Sequence, residues 1–437
     1  MRIENSKILY ERALKSITSG VNSNSRFRFP HPVYFKRGEG AFLYDVDGNK
    51  YIDIILGNGA IFFGHNFKPF TDRFKQLNEE YCGLTTGVES ELGILAAEKF
   101  LRIIPADKIR FTNTGTEAIL HVMQIARAYT GKNDFALVEG SYNGWADHVN
   151  VSTFPSIDDV GEEKEPNSVP GMGGLDKQAV QSSVVIPFND IEITKELLTK
   201  NKDRLAAFIL EPIMIDIGYI EPEPEYLKGV RQICDKLDIL LVFDELLTGF
   251  RAPSASCQKN YGINPDLSIF GKAIANGHIL AAVSGKTEIM ETAKAGGKAN
   301  FVGTFNGHQI SLAACLATLE LMEDGKILKH IDDSTLYLSR EFEKLAQKHS
   351  VSAKLKGRGG HFHFYFSEKE VKNYRDAALC NSENYLAFSN KMNSQGIYMI
   401  NNYLSHHALS YSHNEEVLEN IVNAFDIALA ETAKNIR

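Results

Sequence analysis

Two short apolar segments, 239–243 and 267–270, limit what this chain can fold into more than any other stretch. The first ends abruptly at Asp244, and the second is followed by a glycine and Lys272. Short apolar runs that contain β-branched residues and stop at polar ones are typical of strands buried on both faces of a sheet. In an open α/β sheet the ligand crevice lies outside the carboxyl ends of the strands. The pattern therefore predicts that an acid and a lysine face one crevice.

This pairing of residues suits one kind of chemistry. A lysine amine can form a Schiff base with an aldehyde cofactor such as pyridoxal 5′-phosphate, PLP. The cofactor ring withdraws electrons while its pyridine nitrogen is protonated, and a buried carboxylate beside that nitrogen favours the protonated form. Asp244 is the candidate carboxylate and Lys272 the candidate amine. Either residue alone also fits an ordinary role, as a turn cap or a surface lysine, so the hypothesis needs a phosphate site elsewhere.

A candidate phosphate site lies at the start of a predicted helix. A short strand around 109–111 leads into Thr114, Gly115 and Thr116, and apolar residues at helical spacing follow. Free N–H groups and the helix dipole at such a start favour an anion. The alternative is a simple Thr cap with Glu117 in the first turn. Neither a G-x-x-x-x-G-K-[ST] nor a G-x-G-x-x-G motif accompanies it, so the usual nucleotide sites are not indicated.

Three further positions are candidates for ligand contacts. Tyr142 follows a predicted strand, 135–138, and could stack on a flat ring or be an ordinary loop aromatic. The apolar run 205–210 ends in Glu211, which is either another crevice carboxylate or a turn residue before proline. Arg26 lies in an irregular loop, where it could hold a substrate carboxylate or be solvated.

Composition excludes several classes of protein. The 437 residues are 43% hydrophobic and 23% charged, which is an ordinary globular balance. The net charge of -8 favours neither a nucleic-acid nor a membrane-surface partner. The five cysteines include no C-x-x-C pair, so neither a disulfide framework nor a metal site is expected. No apolar segment resembles a signal peptide or a membrane span, and we expect a cytoplasmic protein.

The order of the predicted elements implies an α/β fold. From 107 to 272 the outline is β-α-β-β-α-β, which predicts a mostly parallel sheet flanked by helices. Residues 154–184, rich in Asp, Glu, Pro, Gly and Ser, are predicted to form a long mobile surface loop. The division we predict has three parts: residues 1–65 as an N-terminal segment that joins the small domain, 66–325 as the large cofactor-binding domain, and 326–437 as a smaller α+β domain.

Several motifs together resemble one family. In chain order they read NTGTEA, EGSYNG, LEPI, FDELLTGFR, FGK and GTFNG. Their order and spacing are similar to those of the class III, fold-type I PLP-dependent aminotransferases. SGVNS-x-x-R, DVDGNKYID, NSVPG and VIPFND resemble the glutamate-1-semialdehyde 2,1-aminomutase branch of that family most closely. The resemblance extends from about residue 10 to 430, and the motifs are specific jointly rather than singly.

The resemblance implies roles for the cofactor-side residues. Lys272 would form the Schiff base with PLP and carry the proton. Asp244 would pair with the pyridine nitrogen. Gly115 and Thr116, with Thr114 before them, would bind the phosphate at the helix start.

It also implies contacts around the ring and across subunits. Tyr142 would cover the ring, with Asn143 beside it, and Glu211 would line the pocket. Thr304 would reach the phosphate of a neighbouring subunit, which implies a homodimer with shared sites. The substrate contacts that the resemblance implies are Ser23, Arg26 and Asn58.

Departures from the aminomutase pattern fall on the substrate side. Asn143-Gly144-Trp145 stands where the branch has His-Gly-His, and Asn58 stands where it has a tryptophan. Ser405 aligns with an acidic residue, and 282–284 replaces a glycine-richer mobile loop. We therefore expect PLP chemistry on a different amine. An aminotransferase is the first hypothesis, and an isomerase (aminomutase or amino-acid epimerase) the second. A non-catalytic relative is a third hypothesis, which the retained Lys272 argues against.

Overall fold

A computed structural model describes residues 2–436 of the chain; the two outermost residues of the predicted parts, Met1 and Arg437, lie outside them. The strands, in chain order, are β1 (Phe35–Glu39), β2 (Phe42–Asp45), β3 (Lys50–Asp53), β4 (Lys108–Thr112), β5 (Asp134–Val138), β6 (Gly161–Glu162), β7 (Glu165–Pro166), β8 (Val184–Ile186), β9 (Leu205–Leu210), β10 (Leu240–Asp244), β11 (Leu267–Phe270), β12 (Ala281–Gly285), β13 (Lys354–Arg358), β14 (His361–Tyr365), β15 (Ile397–Tyr398) and β16 (His407–Ala408).

Helices cover the faces of the sheet and form most of the C-terminal region. They are α1 (Glu4–Ala13), α2 (Lys68–Glu80), α3 (Glu91–Ile103), α4 (Gly115–Thr130), α5 (Lys177–Ser182), α6 (Ile191–Asn201), α7 (Tyr226–Leu237), α8 (Cys257–Tyr261), α9 (Thr287–Met290), α10 (Gln309–Leu321), α11 (Lys326–Lys348), α12 (Tyr374–Ala378), α13 (Ser382–Ser394) and α14 (Glu415–Ile436). None of the helices described in this range is long and apolar enough to cross a membrane.

The central sheet has seven strands within residues 2–436, in the order β4-β12-β11-β10-β9-β5-β8. Only β12 runs against its neighbours among these strands, and the pairs from β11 to β8 are parallel. Alternate residues of β9 and β10 pack on α4 on one face and on α6 and α7 on the other. The expected α/β class with a mostly parallel sheet is confirmed.

The strands that lead to the candidate site are wholly buried. Every residue of β9, β10 and β11 is buried, as the continuous apolar runs predicted. β10 lies between β9 and β11, with Asp244 opposite Ile269 of β11. The carboxyl end of β10 therefore lies beside the end of β11, just before Lys272.

Smaller sheets join the two ends of the chain. β2 and β3 form an antiparallel hairpin, and β15 adds to β3 in parallel. β13, β14 and β16 form another sheet. The N-terminal hairpin and a C-terminal strand thus share one sheet, while the domain boundaries at 65/66 and 325/326 stay a prediction.

Two expectations about local structure were wrong. The β-α-β-β-α-β outline omitted β8 and α6, because a strand of only three residues leaves a weak pattern. Segment 154–184 is not a bare loop, since it contains β6, β7 and α5, and Arg375 donates hydrogen bonds to three of its carbonyls. Residues 282–284, which replace a glycine-richer loop of the aminomutase pattern, lie in buried strand β12.

Candidate active site

Asp244 ends β10 inside the protein, with 2% of its surface exposed. Its carboxylate accepts hydrogen bonds from the Asn143 amide at 2.8 Å and from the Leu246 N–H at 3.1 Å. Burial raises the pKa of Asp244 to about 6, against the opposing effects of these two donors and of Lys272. Asp244 is therefore a carboxyl group poised to ionise fully when a cation comes beside it.

The Asn143 side chain is fixed from both ends. Its Nδ2 donates to Asp244, while its Oδ1 accepts from the Ser141 hydroxyl at 3.0 Å. The two bonds determine which way the amide points. Asn143 is thus a positioning residue for Asp244, which gives a physical reason for an asparagine at this position.

Lys272 begins a short 3₁₀ turn, 272–275, directly after β11 and Gly271. Its φ of +47° is in the left-handed region, which lysine rarely occupies and which is often found at functional sites. Burial raises the pKa of Glu211, Asp216 and Asp244, and the positive charge of Lys272 opposes that rise in each of them. Three carboxyl groups therefore lie within electrostatic reach of one amine.

Glu211 follows β9 and is 3% exposed. Its Oε2 accepts from the Ile215 N–H at 3.1 Å, whereas Oε1 has no hydrogen-bond partner among the described residues. Burial raises the pKa of Glu211 well above its ordinary value, and Asp216 and Asp244 raise it further. An orphaned buried oxygen here is the mark of a site that a polar ligand completes.

The start of α4 is both a capped helix terminus and a possible anion site. The Thr114 hydroxyl accepts from the Glu117 N–H at 3.2 Å, so it caps the helix. The Glu117 carboxylate reaches back to the Asn113 N–H at 3.0 Å. The N–H groups of Gly115 and Thr116 have no acceptor in the part of the chain that the structure describes. These two groups remain free for an anion.

Leu246 joins the helix start to the lysine turn. A Cβ on Gly115 would lie 2.6 Å from one methyl of Leu246, and a Cβ on Gly271 would lie 2.6 Å from the other. A side chain at either glycine would force Leu246 to move, because this leucine fills the space between them. The spacing of α4 from Lys272 thus depends on one aliphatic side chain.

Tyr142 is partly exposed and faces the same group of residues. Burial raises the pKa of its hydroxyl, and the charges of Asp216 and Asp244 add to that effect. An aromatic ring with one open face beside Asp244 can cover a planar ligand.

The other predicted residues lie outside this cluster in the described chain. Thr304 is exposed in the turn before α10, where its carbonyl accepts from the Thr86 hydroxyl. The Ser23 hydroxyl lies 2.9 Å from the Ser25 hydroxyl, and Arg26 is exposed. Asn58 is exposed, and its carbonyl lies near the ring of His406. The structure does not bring Ser23 or Arg26 to Lys272.

Sequence reasoning missed two groups that face Lys272. Asp216 lies in the turn after β9, and His406 lies just before β16, with Nδ1 3.7 Å from Asp216 Oδ1. An acid five residues after strand-end Glu211 was the only local signal. Nothing in the sequence linked it to a histidine 190 positions later.

Arg251, in the TGFR motif, is a buried clamp rather than a ligand contact. Its guanidinium donates to the carbonyls of Gly59 at 2.8 Å, Ile61 at 3.1 Å and Leu409 at 2.8 Å. Burial lowers its pKa to about 9. Arg251 therefore fixes the N-terminal and C-terminal segments against the turn that follows Asp244.

The donor set fits PLP. The buried carboxyl of Asp244 suits a pyridinium, the free N–H groups of Gly115 and Thr116 suit a phosphate, and the amine of Lys272 suits an aldehyde. The orphaned oxygen of Glu211 can accept from a ligand hydroxyl or amine. These groups surround one space at the carboxyl ends of β9, β10 and β11.

Comparison with known proteins decides the family. A model of the family "Aminotransferase class-III" matches residues 24–426. The chain belongs to the class-III aminotransferase family. It is 35% identical over 430 residues to the glutamate-1-semialdehyde 2,1-aminomutase of Methanococcus maripaludis, with 98% of both chains covered.

Solved structures agree with the family assignment. An omega-transaminase from Sphaerobacter thermophilus superposes with a TM-score of 0.92 at 28% identity, over 98% of this chain and 97% of that one. A transaminase with PLP bound superposes with a TM-score of 0.88 at 25% identity, over 100% and 99%. This class-III protein therefore has fold type I, is an enzyme, and uses PLP as its cofactor.

Proposed function

We propose that this class-III enzyme is an aminotransferase that moves an amino group between an amine or amino-acid donor and a keto or aldehyde acceptor by way of Lys272. The proposal is carried by the contrast between a complete set of cofactor groups around Lys272 and an uncharged residue, Ser405, at the position where the aminomutase pattern has an acid. Similarity to an omega-transaminase supports it.

The residues have distinct tasks in this proposal. PLP supplies an aldehyde that captures the amine and a ring that withdraws electrons from the carbon bearing it. Asp244, oriented by Asn143, keeps the pyridine nitrogen protonated. Lys272 Nζ would take the proton from the donor carbon and hold it for the return transfer. The N–H groups of Gly115 and Thr116 hold the phosphate, and Tyr142 keeps water from one ring face.

An isomerase is the second candidate. The 35% identity to an aminomutase over nearly the whole chain favours it. Both reactions use Lys272 and Asp244 in the same way. They differ in whether the carbonyl product leaves the site or the amine stays on the same molecule.

The proposed assembly is a homodimer in which Thr304 reaches the partner's phosphate site. Exposed apolar side chains surround Thr304 and support a covered face; they are Leu84, Val88, Ile94, Val302, Phe305 and Ile310. A groove of about 520 Å³ runs between Val88, Ile94 and Phe301. A second copy could bury this surface.

A cytoplasmic location remains part of the proposal. The five cysteines are all free, and Cys234, Cys257 and Cys315 are buried. Unpaired cysteines fit a reducing compartment.

The test is to add a panel of amines to the purified holoenzyme, without an acceptor, while absorption and products are followed. An aminotransferase should bleach the visible absorption and release one carbonyl product per site. An isomerase should regain its absorption and accumulate an isomer of the substrate. Normal turnover of glutamate-1-semialdehyde to its isomer would overturn the first candidate in favour of the second.

A further inference from the structure

Residues 56–59 form a left-handed turn, which is rare in a chain of L-amino acids. The φ angles of its four residues, in chain order, are +51°, +63°, +56° and +80°. Glycine adopts this region freely, whereas other residues adopt it at a cost and usually singly. Two of the four residues, Leu56 and Asn58, are not glycine. Contacts from the rest of the protein must therefore impose this backbone.

Two side chains from distant parts of the sequence hold the segment 59–63, in which the turn ends. The Asn276 Oδ1 accepts hydrogen bonds from the N–H groups of Phe62 at 2.8 Å and of Phe63 at 3.0 Å. The Arg251 guanidinium donates to two carbonyls of the same segment, at 2.8 Å and 3.1 Å. Because one side chain binds N–H groups and the other binds carbonyls, the segment is fixed in both position and orientation.

Asn276 comes directly after the lysine turn, 272–275. Its own φ is +46°, a backbone conformation that asparagine adopts more readily than most other residues with a side chain. The two segments also pack directly, since a Cβ on Gly277 would lie 3.2 Å from Cγ1 of Ile61. The segment 59–63 is therefore attached to the lysine turn by two hydrogen bonds to one oxygen and by an apolar contact.

The left-handed turn borders the surroundings of Lys272. A Cβ on Gly59 would lie 2.2 Å from Cε1 of His361, and the Asn58 carbonyl faces the ring of His406. Burial lowers the pKa of both imidazoles, and the positive charge of Lys272 contributes to that shift in each of them. Asn58 itself is exposed. The turn thus presents an exposed polar residue next to two buried rings that lie in the field of Lys272.

We propose that Asn276 is a positioning residue, whose amide oxygen holds the left-handed turn against the lysine turn so that Asn58 contacts the substrate. This inference rests on the proposed function, because it names the residue that orients a substrate contact of that reaction. Without the two bonds to Asn276, the turn loses a constraint on its left-handed backbone, and Asn58 leaves its place. Asp244 and the start of α4 keep their own contacts, so the cofactor side is unaffected.

The kinetic experiment is a double-mutant cycle on the holoenzyme, in which KM and kcat are measured for straight-chain primary amines and α-amino acids. Asn276→Gly removes the oxygen while glycine accepts the backbone conformation. It should raise KM by about 3–10-fold for the amines that respond to Asn58→Ala and leave the absorption of the bound cofactor unchanged. Asn58→Ala should have little further effect in the Asn276→Gly background. Asn276→Asp keeps an acceptor and should restore most of the wild-type KM.

Hydrogen–deuterium exchange of the holoenzyme provides a measurement that does not depend on turnover. The N–H groups of Phe62 and Phe63 should exchange about 10-fold faster in Asn276→Gly, because each loses its acceptor. Asn381→Gly is the matched control, since the Asn381 Oδ1 accepts a backbone N–H at the start of α13 at 2.8 Å. This control should change neither the exchange of residues 59–63 nor KM for any amine.

The possible results separate this inference from the proposed function. Additive effects of Asn276→Gly and Asn58→Ala, or no effect of Asn58→Ala on any reacting amine, overturn the inference while the reaction itself upholds the proposed function. Unchanged exchange at Phe62 and Phe63 in Asn276→Gly also overturns the inference. If no amine reacts with the wild-type enzyme, the proposed function fails, and the exchange rates alone decide whether Asn276 holds the turn.

Discussion

The two sides of the site differ in how far the protein satisfies its own polar groups. On the cofactor side, Asp244 is held by Asn143, which is held in turn by Ser141. On the substrate side, Asp216 and His406 stand 3.7 Å apart without a hydrogen bond between them. The cofactor side is organised by hydrogen bonds within the protein, whereas Asp216 and His406 are not bonded to each other.

This difference matches the distinction between cofactor contacts, which every reaction of the enzyme uses, and substrate contacts, which depend on the molecule bound. A pre-organised carboxylate loses little on binding a cofactor, because its orientation is already fixed. We therefore expect changes on the cofactor side to affect all substrates alike, and changes on the substrate side to affect them unequally.

Removal of the amine should have the largest effect. Lys272→Ala should lower turnover by at least about 10³-fold for every amine, because a positioned proton carrier alone contributes about 10²–10⁴-fold. Borohydride reduction followed by mass spectrometry should add the mass of the cofactor to wild-type protein at residue 272 and not to the variant. Lys68→Ala, on the surface of α2, is the control. Multiple turnovers in Lys272→Ala would refute the assignment.

Arg251 holds the N-terminal and C-terminal segments against the turn after Asp244, so its loss should destabilise the folded protein. Arg251→Met leaves the carbonyls of Gly59, Ile61 and Leu409 without their donor. The free energy of unfolding should fall by about 3–5 kcal/mol. Urea unfolding of the cofactor-free protein measures it. Arg37→Met, which removes an exposed arginine, should change it by less than about 1 kcal/mol, and equal losses would contradict the clamp.

The raised pKa of Asp244 predicts a pH dependence of the cofactor-free protein. The folded state keeps the proton of Asp244 up to pH about 6, whereas an unfolded chain loses it near pH 4. The folded state therefore binds more protons in this window, and its stability should fall by about 3 kcal/mol as pH rises through it. Asp244→Asn should remove that part of the fall. An identical pH profile in wild type and variant would show that Asp244 ionises normally.

Substitutions at two asparagines test whether cofactor contacts and substrate contacts behave differently. Asn143 is buried and bonded to Asp244, while Asn58 is exposed and is a predicted substrate contact. Asn143→Ala should weaken PLP retention by about 10–100-fold, the weight of a hydrogen bond to a charged group. Asn58→Ala should leave PLP retention intact and change KM for some amines only. Equilibrium dialysis against PLP measures both, and equal effects would erase the distinction.

The smallest effect is expected at the proposed subunit contact. Thr304→Ala should weaken PLP retention by about 3–10-fold without changing the mass of the assembly, because one hydroxyl donor is lost from an otherwise intact phosphate site. Sedimentation with parallel PLP titration separates the two quantities. A monomeric wild-type protein would remove the basis for this contact.

Local sequence predicted the cofactor side better than the substrate side. Asp244, Glu211 and Lys272 each follow a continuous apolar strand, and such strands are recognisable because both faces are buried. Thr114 to Thr116 stand at a helix start for an equally local reason. These residues come together because parallel strands end at one edge of a sheet.

Asp216 and His406 had no such signal. They lie in irregular segments, and their contact depends on how the C-terminal strands pack against the turn after β9. β8 was missed because three residues make too short a pattern. The left-handed backbone of Lys272 was likewise invisible, since the turn geometry comes from packing around Gly271 and Leu246.

Leu246 lies between the start of α4 and the lysine turn and limits how closely the two can approach. Its methyl groups set how far the start of α4 lies from the lysine turn, because a side chain at Gly115 or Gly271 would collide with them. A ligand that is anchored by an anion at one end and by a carbonyl at the other must match this span. A larger side chain at either glycine would therefore disturb the site through a hydrocarbon contact, without altering any of its polar groups.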